Sequence, residues 1–173
     1  MPMSEDVGTA TDGPLEALAA AIAAQTDALG HLRFKFEVQQ MMLAGGGNTW
    51  VNETTRELEA AIGAVQESDA AFRAALSNAA SLLGLSPEST LREVASAASE
   101  PWNYIFRQGR EELKRSVERV SVLCGENRKL LARGYLATSA ALSLLGVAAT
   151  TSYDATGAPV SSARSANILN TKA

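Results

Sequence analysis

The chain has 173 residues and one cysteine, Cys124, so its length suits one domain and an intramolecular disulfide is excluded. Its net charge is −4, and no aromatic or glycine-rich recognition motif accompanies the basic residues, which argues against nucleic-acid binding. The first twenty residues lack a basic start followed by an apolar run, so we expect no signal peptide and a cytoplasmic protein.

The first predicted element is a long helix. Residues 1–13 are polar and acidic, and we expect a disordered leader there. A helix is predicted from Pro14 to Ala44, because its seam residues recur at alternating spacings of three and four, as in a coiled coil. Gln25 and Gln39 lie on this seam, where they either fix the register of the helices or mark a hydrated position. The seam consists of Leu15, Leu18, Ile22, Gln25, Leu29, Leu32, Phe36, Gln39 and Leu43.

Three glycines at 45–47 predict that the chain turns back after the first helix. A second helix is predicted over residues 49–84, with Trp50 covering the turn and Gly84 ending the helix. Thr90 and Glu93 have the spacing of a capping box, which predicts a short connecting helix near residues 87–98.

A third long helix is predicted from Pro101 to residue 145. Apolar residues occur there in adjacent pairs, which gives a wide stripe that suits a helix facing two neighbours. We therefore predict an all-α fold, an elongated antiparallel three-helix bundle of coiled-coil type, over residues 14–146. Residues 147–173 are predicted to form a flexible, disordered C-terminal tail. Gly109, Gly125 and Gly134 either weaken the last helix or let another backbone approach it closely.

The lengths of these helices differ, and the difference predicts an uncovered end. At 1.5 Å per residue the three helices are roughly 46, 54 and 67 Å long, so the last one overhangs the glycine turn by roughly 10–20 Å. Exposed apolar surface of this kind usually marks a partner site. The overhang runs from Tyr135 to Leu145 and carries Tyr135, Leu136, Leu142, Leu144 and Leu145.

Charge is distributed unevenly along the chain. Residues 1–100 hold five basic and fourteen acidic side chains, whereas residues 101–134 hold eight basic and four acidic ones. The basic character of the last helix favours either an acidic partner or the complementation of its acidic neighbours within the chain.

No set of residues in the sequence predicts catalysis. His31 is the only histidine and lacks the flanking residues of a phosphotransfer site, so we expect a solvated or partly packed side chain. Cys124 lies on the apolar stripe and is expected to be a packing residue rather than a reactive thiol. We therefore predict no enzyme activity, no metal and no cofactor.

Asn127 also lies on that stripe, and a buried amide needs hydrogen-bonding partners. It pairs either with a seam residue such as Gln25 or Gln39 or with a bound partner.

No charged residue occurs from Gly134 to Tyr153, but alanine, serine, threonine and glycine dominate this run. We therefore expect no stable membrane insertion.

The sequence resembles the FlgN family of flagellar type III export chaperones over roughly residues 15–157. The resemblance rests on Leu123, on the run Asn127-Arg128-Lys129-Leu130-Leu131 and on Tyr153 followed by Gly157, with a similar connector at Thr90 to Ala95. It implies a chaperone that binds the C-terminal segments of the hook-associated proteins FlgK and FlgL, and that delivers them to the export-gate protein FlhA.

By this resemblance, Asn127, Leu130 and Leu131 correspond to the client-binding part of the family, and Tyr153 corresponds to the tyrosine that docks on FlhA. With the overhang, the predicted client-binding residues are Asn127, Leu130, Leu131, Tyr135, Leu136, Leu142 and Leu145. A homodimer is also compatible with the seam pattern. The alternative hypothesis is a secreted or structural helical hairpin of the WXG type, which Trp50 at the turn suggests.

Overall fold

The structure is a computed structural model that describes residues 9–45, 50–144, 152–153 and 159–160. It contains the helices α1 (Thr9–Ala44), α2 (Val51–Leu82), α3 (Leu91–Ala97) and α4 (Trp102–Leu144). Two short strands, β1 (Ser152–Tyr153) and β2 (Pro159–Val160), pair in antiparallel orientation. The chain divides into two compact units, residues 1–127 and 128–173, and α4 contributes to both. The predicted all-α class is confirmed.

The helix boundaries agree with the sequence within about two residues except at the starts of α3 and α1. The connecting helix α3 begins at Leu91, four residues after its predicted start near residue 87. Helix α1 begins at Thr9, five residues before the predicted start at Pro14, so residues 9–13 are helical instead of belonging to a leader. Pro14 lies inside the helix, where it lacks the N–H group that would bond the carbonyl of Ala10. The strand pair lies in the predicted tail and was not expected. The rest of that tail and residues 1–8 lie outside the described residues.

In the first unit, α1 and α2 pack in antiparallel orientation. The Ser68 hydroxyl donates a hydrogen bond to the side-chain carbonyl of Gln25, and Lys35 Nζ lies 3.0 Å from Glu57 Oε2. The residue numbers of the contacting positions therefore decrease along α2 as they increase along α1, as expected for antiparallel helices. Gln25 is buried and its side chain is bonded within the chain, which favours the interpretation that it fixes the register of the helices.

The first part of α4 runs parallel to α1. Ile22 contacts Gly109, and Gln39 contacts Asn127, so positions on both helices rise together. A Cβ atom built on Gly109 would lie 2.6 Å from Cγ2 of Ile22, so this glycine allows the two helices to approach closely. No atom lies within 4 Å of a Cβ built on Gly125 or Gly134, and close approach therefore explains only the first of the three glycines.

Two apolar clusters form the core of the first unit, and α1 contributes to both. Cys124 packs half-buried against the second cluster, as its position on the stripe predicts. The first cluster joins all four helices and consists of Leu15, Leu18, Ile22, Ala79, Ala80, Leu91, Val94, Ala95, Ala98 and Phe106. The second consists of Leu32, Phe36, Ala61 and Leu123.

Gly84 stops α2 through backbone geometry. Its φ of +71° lies in the left-handed region that side chains with a Cβ atom disfavour. The N–H of Gly84 bonds the carbonyl of Ser81, and the N–H of Leu85 bonds the carbonyl of Ala80. These two bonds form a Schellman motif, which satisfies carbonyls that the helix end would otherwise leave free.

The capping box that the sequence predicts at the start of α3 is present. The backbone N–H of Thr90 donates to Glu93 Oε2 at 2.7 Å, and the backbone N–H of Glu93 donates to Thr90 Oγ1 at 3.4 Å. The Thr90 hydroxyl also donates to the Glu93 carboxylate at 2.8 Å. The backbone N–H and the hydroxyl of Thr90 both donate to the ionised carboxylate, and they hold the pKa of Glu93 below its usual range.

This capping box predicts a pH-dependent contribution to stability. Because the folded-state pKa of Glu93 is lowered, its carboxylate contributes stability that is fully present above the unfolded-state pKa. The contribution is lost as the pH falls through the lowered folded-state pKa. We expect urea denaturation at pH 7 to show that Glu93→Gln is less stable than the wild type, with the difference shrinking toward pH 3. A difference that stays constant between these pH values would contradict this assignment.

Candidate functional site

Asn127 is the last residue of the first unit, and its side chain is only 2% exposed. Its Nδ2 atom donates to the backbone carbonyl of Phe36 at 2.9 Å and to Oε1 of Gln39 at 3.0 Å. Gln39 is also 2% exposed, and its amide nitrogen lies 3.5 Å from Thr55 Oγ1. Of the two interpretations that the sequence leaves open, the structure shows pairing with the seam. In this arrangement Asn127 presents no surface to another protein.

The amide of Asn127 fixes the position of α4 along α1. Both of its hydrogen-bond acceptors belong to one turn of α1, so a shift of one residue in register would break both bonds. The Oδ1 atom of Asn127 is buried and has no hydrogen-bond partner within the described part of the chain. An unpaired buried carbonyl costs free energy, so this polar contact contributes more to register than to stability.

This asymmetry predicts a coupling between Asn127 and Gln39. Replacing either residue alone with leucine leaves a buried amide without its partner, and we expect a loss of about 1–3 kcal/mol in the free energy of unfolding. Replacing both removes both polar groups, so the double variant should be more stable than the sum of the single losses predicts. A double-mutant cycle measured by urea denaturation checks this. Strictly additive losses would show that the two amides do not interact.

Beyond Asn127, the side chains of α4 are largely exposed. Leu130 is half-buried, and every residue from Leu131 to Ala141 is exposed. Tyr135 is 74% exposed and Leu136 is 66% exposed, while Leu142 is half-buried. An ordinary solvated helix exposes mainly polar side chains, whereas this segment exposes several large apolar ones close together.

Helical geometry separates these apolar residues into two groups. At 3.6 residues per turn, Leu131, Tyr135 and Leu142 lie within about 40° of one another on the helix, whereas Leu136 is turned by about 140° from Leu131. With Thr138, the first group has spacings of four, three and four residues, like the buried seam of α1. We call Leu131, Tyr135, Thr138 and Leu142 the α4 stripe. The sequence prediction did not distinguish Leu136 from this stripe.

Two hydroxyl groups of this segment, those of Thr138 and Ser143, donate hydrogen bonds within the helix. Thr138 Oγ1 donates to the carbonyl of Gly134 at 2.9 Å, and Ser143 Oγ donates to the carbonyl of Ser139 at 3.0 Å. Because these hydrogens are already bonded, a partner can cover the hydroxyls without leaving their donors unpaired. At Thr138, the polar position of the α4 stripe that is already bonded, an apolar partner can therefore pack at low desolvation cost.

Two predicted site residues, Leu145 and Tyr153, lie outside the part of the chain whose side chains are described. Leu145 lies outside the described residues. Tyr153 lies in β1, where its backbone pairs with that of Pro159. The positions of the other predicted residues, Asn127, Leu130, Leu131, Tyr135, Leu136 and Leu142, are those given above.

Among the described residues, no group of three histidine, cysteine, aspartate or glutamate side chains is placed to hold a metal ion. No helix in the described ranges is long and apolar enough to span a bilayer.

Comparison with known families gives a match that covers most of the chain. The model of the FlgN protein family matches residues 14–161. The chain belongs to the FlgN family. Searches of curated proteins and of solved structures returned no match. The family match includes α4 with its stripe and extends through the β1–β2 pair.

FlgN proteins are chaperones of flagellar export, so the family assignment gives this chain a role in protein binding during flagellum assembly. The structure also bears on the helical-hairpin alternative. A WXG-type hairpin has two helices, whereas the described residues form four, and Trp50 is 59% exposed.

Proposed function

We propose that this protein is a cytoplasmic flagellar export chaperone that binds the C-terminal segments of hook-associated proteins of the FlgK and FlgL type. We propose that it delivers them to the type III export gate through FlhA. The observation that carries the proposal is the α4 stripe, which is exposed at Leu131, Tyr135 and Thr138, in a chain of the FlgN family. Residues 14–146, a three-helix bundle with a short connecting helix, would form the chaperone domain.

The α4 stripe has the chemistry of a helix-binding surface. Its four residues have the spacing with which α1 packs against its neighbours, so an amphipathic helix can dock on the stripe in the same way. A client segment that is disordered when free loses conformational entropy as it folds on the stripe, which limits its affinity. Limited affinity suits a chaperone, because the client must be released at the gate.

Asn127 serves this site indirectly in our proposal. Its buried hydrogen bonds hold α4 against α1 one turn before Leu131, where the stripe begins. We propose that Leu130, which is half-buried just before the stripe, extends the client contact. Leu136 lies about 140° from Leu131 and would be contacted only by a client that wraps around α4. Leu145, which ends the overhang that the sequence predicts, is proposed as a further client residue. We propose that Tyr153, beyond the helix, contacts FlhA instead of the client.

A pair of tyrosines on α4 provides a matched test. Tyr135 belongs to the stripe, and Tyr104 is similarly exposed, at 62%, near the start of the helix. Burying one large side chain is worth about 1.5–3 kcal/mol, so Tyr135→Ala should weaken binding of a FlgK or FlgL C-terminal segment at least about tenfold. Tyr104→Ala should change the Kd less than about twofold. Isothermal titration calorimetry with the full-length chain measures both.

Size-exclusion chromatography with light scattering distinguishes a client surface from a dimer surface. If Tyr135→Ala converts a dimer to a monomer while client binding stays unchanged, the stripe pairs two copies of the chain and the client proposal is wrong. If Tyr104→Ala weakens client binding as much as Tyr135→Ala does, the client site is not the stripe.

The role of Tyr153 is tested separately. We expect Tyr153→Ala to bind the client segment with an unchanged Kd and to lose at least about tenfold in affinity for the cytoplasmic domain of FlhA. Tyr153→Phe, which keeps the aromatic ring, shows whether the hydroxyl takes part. A Tyr153→Ala variant that binds FlhA as tightly as the wild type would remove this residue from the docking site.

A further inference from the structure

A cavity lined by arginines lies between α3 and the start of α4, within the first unit. Its volume is about 500 Å³ and it opens to solvent. Three of its lining residues come from each helix: Arg92, Ala95, Ser96, Asn103, Arg107 and Arg110. No acidic side chain is among them, although the chain has more acidic than basic residues.

Helix geometry brings these residues together. On α4, Asn103, Arg107 and Arg110 have spacings of four and three, so they lie along one side of the helix. On α3, Arg92 and Ser96 are four residues apart and share a side. Asn103 Nδ2 donates to the carbonyl of Ala95 at 2.7 Å, which holds α3 against α4 beside the cavity. The arginines are therefore presented by two helices that are fixed to each other.

Two of the three guanidinium groups have no acidic partner. Arg110 forms an ion pair with Glu111. Among the described residues, neither Arg92 nor Arg107 has a carboxylate within ion-pair distance. The neighbouring Glu93 carboxylate accepts hydrogen bonds from Thr90. The charges of Arg92 and Arg107 are thus not neutralised from within the described part of the chain, and an anionic ligand could pair with both.

The shape and lining of the cavity favour an acidic peptide. Its volume lies within the range of about 300–1,000 Å³ typical of binding pockets, which exceeds what a single inorganic anion fills. Planar guanidinium groups bind carboxylates through paired hydrogen bonds. The lining contains no aromatic side chain on which a nucleic-acid base could stack.

We propose that this cavity binds an acidic segment of a partner protein through Arg92, Arg107 and Arg110. It is a second interaction site, remote in sequence from the α4 stripe and independent of which client the stripe binds. The carboxylates of the partner neutralise Arg92 and Arg107 and share Arg110 with Glu111. Binding at this site is electrostatic and weakens as the ionic strength rises.

The test is a titration of the full-length chain with a fluorescein-labelled hexaglutamate peptide, followed by fluorescence anisotropy at about 50 mM NaCl. We expect the double variant Arg92→Gln with Arg107→Gln to raise the Kd at least about tenfold. The matched control is Arg115→Gln with Arg119→Gln, which removes the same charge from exposed positions of α4 outside the cavity. The control should raise the Kd less than about threefold. Circular dichroism verifies that both double variants keep their helix content.

Three outcomes would overturn the proposal. One is no peptide binding to the wild type, and another is an equal loss in both double variants, which would indicate a diffuse charge effect. The third is tighter binding of an oligothymidylate of the same charge with the same dependence on Arg92 and Arg107, which would make the site one for nucleic acid. Because the titration contains no hook-associated segment, its failure would leave the client proposal standing, and failure of the client proposal would leave this one standing.

Discussion

A buried amide contact fixes where the packed part of α4 ends. Asn127 bonds one turn of α1 through Phe36 and Gln39, and the register that it sets places Leu123 in the second apolar cluster. The contact leaves one buried oxygen without a partner among the described residues, so apolar residues of similar size would pack there at lower cost. A polar pair at this position therefore makes sense as a determinant of register, because it penalises every other alignment of the two helices. The exposed part of α4 begins one turn later.

Much of the fold could be predicted because its signals are local. The capping box at Thr90 and the helix stop at Gly84 depend on residues within one turn, and both occur as the sequence indicates. The predicted start of α1 at Pro14 was wrong. Proline is most common in the first turn of a helix, so its presence gave no sign that the helix begins before it. The β1–β2 pair could not be predicted, because two residues per strand are too few to show an alternating pattern.

The candidate site could be predicted only in part. The sequence placed apolar residues on the end of α4, but a buried and a partner-bound Asn127 give the same pattern, and only the pairing with Gln39 distinguishes them. The arginine cavity was missed, although the basic character of the last helix was visible in the sequence. Its formation depends on the packing of α3 against α4 through Asn103, and no spacing within either helix reveals that contact.

The central claim is that the α4 stripe is the surface that holds a client, and amide hydrogen exchange of the full-length chain tests it most directly. Exchange is compared with and without a FlgK or FlgL C-terminal segment at a concentration that saturates binding. Our account predicts that amides between Leu131 and Leu142 exchange more slowly when the segment is present, because a docked helix suppresses local opening there. Amides of the buried α1 seam should exchange at unchanged rates. Protection elsewhere in the chain, with residues 131–142 unaffected by a bound segment, would contradict the account.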